Sequence, residues 1–155
     1  MDIIHEKGVY MDKAKILVIE DEEETRQVIT SCLCRKGYEV FSIATAKEAV
    51  ELVKKEHPDI TLLDIRLGDG SGLDILKQIK EFDKNVKVVM VNVLEDEDTI
   101  RQAKSLGVDE CFTKPITIDY LNTIILEKIS ESNLHKTIEE INRNTGQNYF
   151  HKFGK

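Results

Sequence analysis

The stretch Pro58-Asp59-Ile60-Thr61-Leu62-Leu63-Asp64-Ile65-Arg66-Leu67 decides how this chain is read. Ile60, Leu62 and Leu63 are apolar and Thr61 is β-branched, so the run suits a buried strand with Asp59 and Asp64 at its two ends. Leu67 leads into Gly68-Asp69-Gly70-Ser71-Gly72, turn chemistry that neither a strand nor a helix interior would take. Leu73, Ile75, Leu76 and Ile79 then return at helical spacing. The local order is strand, carboxylate, loop, helix. In open α/β sheets ligands bind in the crevice outside the carboxyl ends of parallel strands, which makes Asp64 a candidate site residue. The competing reading is an Asp that only caps a turn, since Asp is common there.

The rest of the chain repeats the pattern. Ile16-Leu17-Val18-Ile19 is a continuous apolar run of the kind a strand covered on both faces requires, and it stops at Glu20-Asp21-Glu22-Glu23-Glu24. Carboxylates suit the positive end of a helix, and one with Val28, Ile29, Cys32 and Leu33 on a single face is expected up to Gly37. Residues 39–42 alternate as an edge strand would. Residues 44–56 predict a helix with Ala46, Ala49, Val50 and Val53 inward, stopped by His57-Pro58. After the helix at 72–82 come a fourth strand at 86–91, a helix at 95–106 closed by Gly107, and a short fifth strand at 110–113. That strand runs into Lys114-Pro115 and a helix over 118–129. Strict alternation of five strands and five helices predicts an α/β fold, a five-stranded parallel sheet with helices on both faces. Right-handed crossovers favour the flavodoxin-like order 2-1-3-4-5, a (βα)5 three-layer sandwich.

Composition narrows the function. At 155 residues, 41% hydrophobic and 33% charged, the chain fills one core and is too short for two ordinary domains. A formal charge of -7 argues against a nucleic-acid partner, which requires a basic face. Residues 1–13 mix acidic, basic and polar groups and hold no long apolar run, so no membrane or secretory segment is read there and a cytoplasmic protein is expected. Three cysteines, an odd number, suit a reducing compartment. Cys32 and Cys34 stand two apart on a helix, point to different faces and are read as packing residues. His5, His57, His135 and His151 show no ligand spacing.

In the expected winding, strands 1 and 3 are neighbours, so Glu20, Asp21 and Asp64 converge at their carboxyl ends. Convergent carboxylates repel, and without a positive partner at least one pKa must rise. Magnesium resolves this: it prefers oxygen ligands, accepts one or two carboxylates and leaves room for a phosphate oxygen. Lys114, at the end of strand 5, adds a second positive charge to the same rim. A carboxylate nucleophile, a metal pocket and a lysine together describe phosphoryl transfer to an aspartate.

These residues resemble the receiver domain of bacterial two-component response regulators over 14 to about 130, roughly three quarters of the chain. The acidic pair after strand 1 is Glu20-Asp21, the phosphoacceptor after strand 3 is Asp64, and the lysine-proline after strand 5 is Lys114-Pro115. Gly72 matches the family's loop glycine. The resemblance implies that Asp64 accepts a phosphoryl group from a phosphohistidine on a sensor histidine kinase or phosphotransfer protein. It also implies that Glu20, Asp21, Asp64 and the backbone carbonyl of Arg66 hold Mg2+, that Lys114 contacts a phosphoryl oxygen, and that the bond before Pro115 is cis. Such a domain is a regulatory phosphoacceptor rather than an enzyme.

Two switch positions depart from the pattern. The family's Ser or Thr after strand 4 is Asn92 here, followed by Val93; an amide donor could still reach a phosphoryl oxygen. The family's Tyr or Phe three residues before the lysine is Cys111, a thiol too small to swing as a ring does, and Phe112 beside it points to the opposite face. Gly68 replaces the loop proline. The expected consequence is phosphorylation with an atypical conformational response. The rival is a pseudo-receiver that docks proteins without phosphorylation.

Other chemistries fit less well. Gly68, Gly70 and Gly72 lack dinucleotide-fingerprint spacing and no P-loop Lys-Ser/Thr follows. A phosphatase of the haloacid dehalogenase type needs a second Asp two residues after the first, where Arg66 stands. The division expected is an extension at 1–13, the receiver at 14–131, and a C-terminal helix or disordered tail at 132–155. That tail holds four basic and two acidic residues, a charge of +2 against -9 for the remainder. Leu134, Ile138 and Ile141 fall at helical spacing, which fits a longer last helix, a short amphipathic helix folded back, or a linker forming a homodimer. Tyr149, Phe150 and Phe153 carry too little apolar surface to order themselves.

Overall fold

The computed structural model describes residues 13–67, 70–92, 97–115 and 117–146. Gly68, Val93 and the tail beyond 146, with Tyr149, Phe150 and Phe153, lie outside the described residues. The apolar runs form the strands expected of them: β1 (Lys15–Ile19), β2 (Glu39–Ile43), β3 (Ile60–Asp64), β4 (Lys87–Asn92) and β5 (Glu110–Thr113). They make one sheet, paired in parallel throughout, in the order β2-β1-β3-β4-β5. Between them run α1 (Glu23–Arg35), α2 (Ala49–Glu56), α3 (Gly72–Phe82) and α4 (Glu97–Ser105), with α5 (Ile118–Thr145) after the last strand. The layers are those of the expected flavodoxin-like sandwich.

Alternation along each strand sorts the core into two halves. Ile16, Val18, Ile60, Leu62 and Val89 face Leu33 of α1 and Leu121, Ile124 and Ile125 of α5. Leu17, Ile19, Leu63, Val88 and Met90 face Ala49 and Val53 of α2, Ile75, Leu76 and Ile79 of α3, and Ala103 of α4. The middle strand β3 is buried along its whole length, while the edge strand β2 is only partly covered: Glu39 and Ser42 are exposed and Val40, Phe41 and Ile43 half-buried, so the strict alternation expected of it is not kept. Gly37, at φ 95°, ends α1 in the left-handed region that a side chain would resist.

Several expectations are corrected. The second helix begins at Ala49 rather than at 44, because a turn closed by the Ala49 amide on the Ala46 carbonyl occupies the intervening residues. Val28, expected inward, is 55% exposed and lines an open cavity beneath the first half of α1. The loop after Asp64 contains a short antiparallel ladder, Arg66–Leu67 with Gly70–Ser71, where only turns were expected.

The last helix does not stop near 129. It runs unbroken to Thr145, so the segment 132–145 continues α5 rather than forming a separate helix folded back. Three ion pairs tie α5 to the amino-terminal rim of the sheet, one of them, at Lys136, from the continuation itself. Lys128 meets Glu110 of β5 at 3.3 Å, Glu131 meets Lys87 of β4 at 3.7 Å, and Lys136 meets Asp59, just before β3, at 3.2 Å. Asp59 also accepts from the Lys15 amide at 2.8 Å. Pairs of this kind contribute at most about 1 kcal/mol each where exposed, but three in sequence orient the helix.

Candidate functional site

Register brings the acidic residues together. Ile19 of β1 pairs with Leu63 of β3, so the next residue of each strand, Glu20 and Asp64, stands at the same level of the carboxyl edge. On the other side Asn92 pairs with Thr113, which places Lys114 one step beyond the same edge. Carboxylate oxygens of Glu20, Asp21 and Asp64 all lie within 4.8 Å of one another. Glu20 and Asp64 are buried and Asp21 is exposed.

Lys114 closes the cluster. Its Nζ donates to Glu20 Oε1 at 2.9 Å and to Asp64 Oδ2 at 3.3 Å. The other oxygen of each acid has a backbone donor: the Arg66 amide reaches Asp64 Oδ1 at 3.0 Å, and the Glu22 amide reaches Glu20 Oε2 at 3.4 Å. The Lys114-Pro115 bond is cis. Asn92 ends β4 at the same edge, its side chain outside the described part of the structure. Cys111 packs against the α2–α3–α4 half of the core, whereas Phe112 turns to the α1–α5 half and meets Tyr120 edge-on at 5.4 Å between ring centres. A cavity of about 480 Å³ opens beside the carboxylates between α1 and α5, floored by Val18, Leu62, Ile29 and Leu121.

Burial, and next its hydrogen bond with Asp64, push the Glu20 carboxyl up to about 7, against the opposing pull of Lys114. Burial would lower the Lys114 ammonium, but the Glu20 hydrogen bond and the charges of Asp64 and Glu20 outweigh it and hold its pKa above the ordinary lysine value. Burial also raises the Cys111 thiol. A strained carboxylate cluster, with one member holding a proton near neutrality, fits a hard divalent cation that would displace that proton. Three oxygen donors within reach of one point are the right chemistry for it.

The Glu20 shift has a measurable consequence. Because its folded value lies above the unfolded one, the folded state binds more protons between about pH 4.5 and 7. Its stabilising contribution is complete below that window and is lost as pH rises through about 7. In chelator, the melting temperature is expected to fall between pH 5.5 and 8, and Glu20→Gln is expected to flatten that fall. Parallel pH profiles for the two proteins would contradict this assignment.

Residues 16–126 match the sequence profile of the response regulator receiver domain. The chain belongs to that family. Among relatives, this receiver is 32% identical over 115 residues to sporulation initiation phosphotransferase F of Bacillus subtilis, covering 74% of this chain and 93% of that one. It is 33% identical over 115 residues to the response regulator protein PilR of Pseudomonas aeruginosa, of which it spans 26%. Among solved structures, a CheY-like response regulator receiver domain protein from Methanospirillum hungatei JF-1 superposes with a TM-score of 0.78 at 26% identity, over 80% of this chain and 99% of that one.

Glu20, Asp21, Asp64 and Lys114, the candidates singled out in the sequence, meet at this edge of the sheet. Arg26 was not singled out: its Nη1 donates to the Glu20 main-chain carbonyl at 2.8 Å. A basic residue in the first turn of a helix that opens on acids was the available signal. Among the described residues, no helix is long and apolar enough to cross a membrane.

Proposed function

We propose that Asp64 accepts a phosphoryl group from a phosphohistidine on a sensor histidine kinase or phosphotransfer protein, in a magnesium-dependent reaction. What supports this most directly is the Lys114 ammonium shared between Glu20 and Asp64 beside three oxygen donors within 4.8 Å. Glu20, Asp21, Asp64 and the Arg66 backbone carbonyl would hold Mg2+. When bound, the ion compensates the negative charge that carboxylates and phosphoryl oxygens bring together. An Asp64 carboxylate oxygen attacks phosphorus in line with the leaving ring nitrogen. The O–P bond forms as the P–N bond breaks, and the imidazole departs with the electron pair. Lys114, already 3.3 Å from an Asp64 oxygen, exchanges that contact for a phosphoryl oxygen, and the Asn92 amide supplies a neutral donor. The chain is thereby a phosphoacceptor of the cytoplasm, with self-phosphorylation and slow autodephosphorylation as its only turnover.

Incubation with Mg2+ and acetyl phosphate is expected to add about 80 Da, the mass of HPO3, to the intact protein and nothing to Asp64→Ala. A second reading has support in Cys111 and Asn92, which stand where the family carries its switch ring and hydroxyl: a module that docks proteins without phosphorylation. An unchanged mass in both proteins, with beryllofluoride also failing to bind, would select it. If beryllofluoride does bind, amide shifts across β4 and β5 are expected to be small, since a ligand moves an equilibrium only through differential contacts and two are replaced. Large shifts there would overturn the atypical response.

A further inference from the structure

Arg26 lies in the first turn of α1, outside the carboxylate cluster. Its own amide bonds the Glu22 carbonyl at 2.9 Å, and its side chain returns to the Glu20 carbonyl at 2.8 Å. That carbonyl belongs to the planar peptide whose nitrogen is that of Asp21. The preceding amide, on Glu20, donates to the Ile43 carbonyl of β2 at 3.1 Å. Sheet and helix thus grip the backbone of Glu20 on either side of its Cα. The second grip fixes the peptide plane between the two acids.

We propose that Arg26 is a positioning residue for the acidic pair: by holding the Glu20-Asp21 peptide it sets the spacing of their carboxylates and so the affinity for a divalent cation. A guanidinium suits this, because its planar fork loses less freedom per hydrogen bond than an ammonium on a flexible stem. The inference rests on the magnesium reading above. Position and charge act with opposite signs here. As a nearby charge alone, Arg26 competes with a cation for the same carboxylates, and removing it would tighten binding. As a positioning group, removing it loosens the pair and weakens binding, typically by about 10- to 100-fold for supports of this kind.

The test is a calorimetric titration of the full chain with Mg2+ at pH 8 for wild type, Arg26→Met and Arg26→Lys, alongside amide spectra of the metal-free proteins. Arg26→Met is expected to bind about tenfold more weakly and to shift the Asp21 amide resonance. Arg26→Lys keeps the charge, so its expected weakening of about threefold reports position alone. It also decides the matter if the methionine variant fails to fold. Unchanged or tighter binding in either folded variant would overturn the proposal. If wild type itself takes up no Mg2+, the reading of the pocket as a magnesium site fails, while the Asp21 amide shift still reports whether Arg26 pins that peptide.

Discussion

Lys114→Met is expected to slow phosphorylation of Asp64 by about 100-fold or more while leaving the fold intact, the range seen when one preorganised donor to developing charge is removed. The methionine keeps the length of the lysine stem and removes the ammonium that sits 2.9 Å from Glu20 and 3.3 Å from Asp64. Without it, the donor proposed for a phosphoryl oxygen is gone, and Glu20 loses the neighbour that lowers its pKa. Cation binding follows a different course. At pH 9, well above the wild-type Glu20 value of about 7, losing a competing positive charge is expected to leave Mg2+ affinity unchanged or stronger. A quenched time course with acetyl phosphate, read by intact mass, measures the rate, and calorimetry measures the metal. Wild-type phosphorylation kinetics in the variant would remove Lys114 from the chemistry.

Gly72→Ala carries the largest expected cost in stability, about 3 kcal/mol, the upper end for overpacking a filled site. A Cβ there would stand 2.5 Å from the Asp64 carbonyl oxygen, 2.7 Å from Ile65 Cα and 2.9 Å from the Ile65 carbonyl oxygen. All three are backbone atoms, so no side chain can rotate out of the way. The Gly72 amide already bonds the Ile65 carbonyl at 2.8 Å, and Ser71 Oγ caps the helix on the Leu73 amide at 3.2 Å. Relief therefore has to come from moving the end of β3, which carries Asp64. At this chain length the loss corresponds to a fall of roughly 6–12 °C in melting temperature. A variant melting within a degree of wild type would show that α3 can retreat at no cost.

How much of this was legible beforehand depends on whether the governing interaction is local. Strand and helix positions follow from side-chain periodicity, and β3 and β5 stand where it put them. Helix boundaries were less legible: the start of α2 depends on a turn at Ala46, and the length of α5 on partners at Asp59, Lys87 and Glu110. Those partners lie up to 77 residues away along the chain, so nothing near α5 announces them. The acids and the lysine were legible as candidates because chemistry marks them. Arg26 was not, since its role is a bond to a carbonyl, and every residue has one of those.

By itself the sequence determined the order of elements, the parallel five-stranded sheet, and which side chains stand at its carboxyl edge, since each follows from short-range pattern and from the few windings a chain allows. Only the tertiary structure decided that Lys114 reaches both Glu20, 94 residues away, and Asp64, 50 residues away. It also decided that Glu20 is buried far enough to hold its proton near neutrality, and that an arginine pins the peptide between the two acids. Desolvation and side-chain reach depend on distances in space, which no spacing along the chain contains.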